Sequence, residues 1–193
     1  LGRLLEETAT DSTGQVLTRQ CTYTRRGQKL SESSAELTIT YHYDHLGQLV
    51  WQTANNVHKE YAYDHGRNLI GFTLYHNGQV VMQLTYGYDL LNRLLTVKRN
   101  GAEIASFAYD AGGNRSWQTY PQSGITTGYL YNEANLLTSM RSHKAGAPLS
   151  ADPYTYQMDG THTSHQDHRA PPFNHAYNSM GRLASETSSP PAP

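Results

Sequence analysis

The chain has 193 residues, with 15 Lys and Arg against 16 Asp and Glu, a formal net charge of −1, and one cysteine, Cys21. Phosphate binding needs a basic stripe, so near-neutrality argues against nucleic acid as the main partner, and the short runs "RQCTYTRRGQK" and "VKRN" read as solvated turns and edges. No run of 18 apolar residues is present, which excludes a membrane-crossing helix, and a lone cysteine excludes an intramolecular disulfide.

Leu, Ile, Val and Phe together supply only 33 of the 193 residues. Such a chain cannot build a thick aliphatic core, but its 15 tyrosines add apolar area while keeping a polar tip. The composition predicts a thin wall.

Taken in order, the chain is one array. "LGRLLEE" at its start matches the second half of a repeat, as expected for one piece of a longer or cleaved polypeptide. Eight copies of a tyrosine-anchored motif follow, at Tyr23, Tyr43, Tyr63, Tyr88, Tyr109, Tyr131, Tyr156 and Tyr177, spaced by 20 to 25 residues. Two residues before the anchor stand Cys21, Tyr41, Tyr61, Tyr86, Phe107, Tyr129, Tyr154 and His175. Residues two apart share one face of a strand, so six of the eight motifs predict a strand with a paired aromatic face. Cys21 falls in that column and reads as a buried structural thiol.

The residues after each anchor predict a turn. One position on are Asp44, Asp64, Asp89 and Asp110, sharing the column with Thr24, Asn132, Gln157 and Asn178. Four positions on are Gly27, Gly47, Arg67, Asn92, Gly113, Asn135, Gly160 and Gly181. Asp or Asn opens a type I turn by bonding backbone two residues on, and Gly or Asn closes it in the left-handed region. Six positions on, Leu49, Leu69, Leu94, Leu137 and Leu183 begin the next strand, with Lys29, Arg115 and His162 as exceptions. Between the motifs, Asn77-Gly78 and Asn100-Gly101 predict two-residue hairpins, as in "FTLYHNGQVVMQLTYGY". Two strands per repeat give on the order of sixteen strands about 4.8 Å apart, an all-β antiparallel meander.

The organisation expected is regular repeats over 1–140, degenerate repeats with a His-rich loop over 141–184, and a flexible Ser/Pro tail over 185–193. "RSHKAGAPLSADP" reads as a loop. His162, His165, His168 and His175, with Asp159 and Asp167, have metal-ligand chemistry. A spacing of three does not place residues on one strand face, and no HExxH or Cys/His zinc pattern is present. The stretch therefore reads as an exposed polar loop, and no metal or cofactor is expected. Hydrolase signatures are also absent, since there is no G-x-S-x-G elbow and the recurring Asp residues are explained as turn formers.

The frame seen as "YHYDHLGQL", "YGYDLLNRL" and "FAYDAGGNR" resembles the YD repeats of bacterial Rhs proteins, of the C components of insecticidal toxin complexes, and of teneurins, over roughly residues 1–183. That resemblance implies a β-sheet spiralling into a hollow shell, or cocoon, that encloses a toxic C-terminal polypeptide. It implies as partners the adjoining YD-repeat segments, the enclosed toxin domain and a secretion or injection apparatus, for a protein delivered outside a bacterium. The core-associated segment of such proteins, with "RYYDP"-like and "DPIG"-like motifs, has no counterpart here, so no self-cleaving residue carries over. The expected function is a non-catalytic wall segment; the alternative is a tyrosine-rich module that binds carbohydrate at a cell surface.

Overall fold

The computed structural model describes residues 5–10, 12–14, 16–166 and 171–188. The contacts divide the chain into two units, residues 1–102 and 103–193. Among the described residues every element is a β-strand, and every pairing within a unit is antiparallel.

The first unit holds β1 (Glu6–Thr10), β2 (Val16–Tyr23), β3 (Lys29–Ser33), β4 (Thr38–Tyr43), β5 (Leu49–Ala54), β6 (Val57–Tyr63), β7 (Leu69–His76), β8 (Gln79–Tyr88) and β9 (Leu94–Arg99). Each pairs with the next in the chain. The second unit holds β10 (Ala102–Tyr109), β11 (Arg115–Tyr120), β12 (Ile125–Tyr131), β13 (Leu137–Lys144), β14 (Ala147–Tyr156), β15 (His162–His165), β16 (Phe173–Tyr177) and β17 (Leu183–Ser188), paired in the same sequential way. This is a meander.

One turn recurs after every anchor. At Asp44 the backbone N–H of Gly47 donates to the Asp44 carbonyl (3.1 Å), and the N–H of Gln48 donates to Asp44 Oδ1 (2.8 Å). The residue closing the turn has positive φ in all eight copies: Gly27, Gly47, Arg67, Asn92, Gly113, Asn135, Gly160 and Gly181. Beyond it the register slips by one. Tyr43 lies opposite Leu49 and His42 opposite Trp51, which leaves Val50 as the extra residue of a β-bulge. The same slip sits immediately before each of the eight anchors.

The bulge changes which residues share a face. Directly opposed residues project to the same side of a sheet, and Tyr61 and Tyr63 oppose Phe72 and Leu69 respectively. The positions six and nine after an anchor therefore lie on the anchor's own face, although their spacing is odd.

Two expectations are corrected. "RSHKAGAPLSADP" is not a loop: it forms most of the β13–β14 hairpin, which turns at Ala145 (φ 49) and Gly146 (φ 85). The tail does not begin at 185, because β17 runs to Ser188 and Ser185–Ser188 pair with Phe173–Ala176; residues 189–193 lie outside the described residues.

Little is fully buried. Among the described residues only Cys21 (4% exposed) and Ala105 (6%) form a buried apolar core, and no large side chain is fully enclosed. Within each unit a strand packs against its chain neighbours, and no second layer covers the sheet among the described residues. The wall is one strand thick.

Candidate functional site

The eight anchor tyrosines are all half-buried, and in four of them the hydroxyl has one repeated partner. Tyr43 Oη donates to the Lys29 carbonyl (2.9 Å), Tyr63 to Leu49 (3.0 Å), Tyr88 to Leu69 (2.9 Å) and Tyr156 to Leu137 (2.8 Å). In each case the acceptor is the first strand residue after the preceding repeat's turn. The phenol thus buries its ring on the sheet face and spends its polar tip on a neighbouring repeat. Burial pushes the phenols of Tyr43, Tyr63, Tyr88 and Tyr131 above the ordinary tyrosine value. Tyr23, Tyr109 and Tyr177 occupy the same place at the ends of β2, β10 and β16.

A second ladder joins the turns. Gln28 Nε2 donates to the Gly47 carbonyl (2.8 Å), Gln48 Nε2 to Arg67 (3.5 Å), and Asn68 Nδ2 to Asn92 Oδ1 (2.7 Å). In the second unit Asn114 Nδ2 donates to Asn135 Oδ1 (2.9 Å). Asp64, Asp89 and Asp110 cap their own turns through the N–H of Asn68, Arg93 and Asn114. The side-chain amide of Asn68 holds Asp64 below the usual carboxylate value, and the backbone N–H of Arg93 does the same for Asp89. Each carboxylate is satisfied within its own turn. No two of the four Asp residues are brought together as an acid–base pair.

The reading of the histidines as an exposed polar loop is also corrected. His162 and His165 lie on β15 and His175 on β16, all half-buried, with ring nitrogens within 4.8 Å of one another. Period-two reasoning placed His162 and His165 on opposite faces. The bulge reverses this, because Tyr156 opposes His162 while Tyr154 opposes His165, which puts both imidazoles on the anchor face. His165 stacks on Phe173 (5.1 Å between ring centres), and His162 packs against Tyr154 and Tyr156. Burial first, then the neighbouring His175, pushes His162 below the usual imidazole value. Asp159 stays in its turn, accepting from the Thr161 N–H (2.9 Å), and Asp167 and His168 lie outside the described residues.

A groove of about 290 Å³ lies beside Trp117, between Tyr129, Leu130, Arg141 and His143. Trp117 is half-exposed and opposes Gly128, where an added Cβ would come within 3.0 Å of the indole. Sequence reading missed this groove, since nothing in the repeat frame marks the eighth position after an anchor.

No protein-family model matches the chain, and no curated protein matches it in sequence. Solved structures do match. The crystal structure of TcdB2-TccC3 without its hypervariable C-terminal region aligns with 95% of this chain at 15% identity and a TM-score of 0.52. The likeness is one of fold. TcdB2-TccC3 itself aligns with 97% of the chain (14% identity, TM-score 0.45), and TcdB2-TccC3-Cdc42 with 95% (13% identity, TM-score 0.45). The chain spans only 13% of the length of the first of these. The sheet contains no helix among the described residues, and hence none long and apolar enough to cross a membrane.

Proposed function

We propose that the chain is a structural wall segment of a secreted Rhs/YD-repeat-like shell that encloses a toxic C-terminal polypeptide, and that it acts without catalysis. The observation that carries this reading is the seam of tyrosine hydroxyls, each bonded to the preceding repeat's backbone. Such bonds suit an array whose repeats are completed by neighbours rather than by a core of their own. The proposed partners are adjoining YD-repeat segments, the enclosed toxin domain, and an apparatus that delivers the assembly. In this role the Asp, Gly and Asn of the turn columns are structural and the tyrosines are repeat anchors. Limited proteolysis of the full-length protein tests it: the polypeptide downstream of the repeats should resist cleavage until the shell is denatured. Cleavage of that polypeptide at the same rate in the native and the denatured protein would overturn it.

One observation favours a second reading, as a carbohydrate-binding module. The groove at Trp117 pairs a half-exposed indole with Arg141 and His143, a combination that suits the apolar face and hydroxyls of a sugar ring. Binding to a glycan array that is lost in Trp117→Ala would support it.

A further inference from the structure

We propose that His162, His165 and His175 form a binding site for a divalent transition-metal ion, zinc being one that an all-imidazole ligand set suits. The first support is placement. Three imidazoles from two adjacent strands converge on one face, and His165 Nδ1 lies 3.2 Å from His175 Nε2. Two nitrogens bound to one tetrahedral zinc at about 2.0–2.1 Å stand roughly 3.3 Å apart, so this pair already has the required separation.

The second support is the tautomer. Glu186 Oε2 lies 3.4 Å from His175 Nδ1, across the β16–β17 pair where the two residues are opposed. A carboxylate there favours a proton on Nδ1, which would leave the Nε2 lone pair facing His165. Metal-ligating histidines are oriented by such an outer carboxylate.

The third support is an unmet need. His162 Nε2 is buried and has no hydrogen-bond partner. Buried polar atoms are nearly always satisfied, and a hydrogen bond between His165 and His175 leaves this one without a partner. An ion held by all three nitrogens satisfies it and leaves a fourth position for water. Tyr154, Tyr156 and Phe173 pack around the cluster and give it an apolar surround.

The other repeats sharpen the contrast. Where His162 stands, five of the eight copies have Leu; where His175 stands, five have Tyr. Here alone the apolar seam becomes three imidazoles. Among the described residues, β15 and β16 share only two opposed pairs, Ser164 with Asn174 and His165 with Phe173. A bound ion would clip this short ladder together.

The test is calorimetric titration of the untagged full-length protein with Zn²⁺, with Co²⁺ absorption reporting the ligand geometry. One ion should bind per chain. His162→Leu and His175→Tyr restore the residues of the other repeats, so they should keep the β-sheet circular dichroism while weakening binding at least about 100-fold. Glu186→Gln should weaken it roughly 10–100-fold, as loss of an outer-shell partner does. Absence of stoichiometric binding, or binding unchanged in His162→Leu and His175→Tyr, would overturn the proposal.

Discussion

At the scale of single residues, Tyr43, Tyr63, Tyr88 and Tyr156 use what a phenylalanine lacks, a hydroxyl that donates to the preceding repeat. The sequence shows the aromatic pair plainly. It does not show the acceptor, which is a backbone carbonyl 14 or 19 residues back that no residue type marks. Tyr63→Phe keeps the ring and deletes the bond to Leu49, a loss of about 1 kcal/mol. Amide exchange in β5 and β6 should quicken roughly fivefold, and unchanged exchange would remove the seam from the account. The turn carboxylates give a pH prediction. Asp64, Asp89 and Asp159 are held below the usual carboxylate value by hydrogen bonds, the largest from the Asn68 side-chain amide, the Arg93 N–H and the Thr161 N–H respectively. A lowered folded value means that their stabilisation is complete above the unfolded carboxylate pKa and is lost as pH falls through the folded one. The melting temperature should therefore be flat down to about pH 5 and fall below it. The triple Asp→Asn variant should fall less steeply, and parallel curves would contradict the assignment.

At the scale of elements, period-two reading identified most strands, because the aromatic pairs and turn residues agree on where each strand stops. It failed at His162 and His165, where one bulge residue shifts the phase and puts an odd spacing on one face. The same shift operates in every repeat, so the failure is systematic: local pattern gives strand identity, while phase across a bulge depends on the partner strand. The β13–β14 hairpin escaped notice for a different reason. Its turn uses Ala145 at φ 49, a residue that carries no turn signal and sits in the left-handed region at a cost of about 1–2 kcal/mol. Ala145→Gly should relieve that strain, raising the urea midpoint of this unit's unfolding with the slope unchanged. A lower midpoint would mean that the methyl group contributes packing worth more than the strain.

At the scale of the whole molecule, the all-β meander was legible because eight in-phase copies repeat one instruction, so errors in any single copy are outvoted. Ala105 was not legible as a core residue, because it lies between the motifs and nothing in the repeat frame marks it. The sheet that results is thin, with hydrogen-bonding edges and with the apolar residues Leu90 and Met158 wholly exposed at the turns. Edges of that kind pair with whatever strand is offered, and in a completed wall the neighbouring repeats offer one. In the shell proposed above, this array is finished by flanking repeats. Size-exclusion chromatography with light scattering tests it most directly, on residues 1–193 alone and on the same residues co-produced with adjoining repeat segments. The segment alone should aggregate or remain partly unfolded, and the co-produced form should be soluble and monodisperse. A stable monomer of 21.6 kDa with a cooperative melt, formed by the segment alone, would contradict the claim.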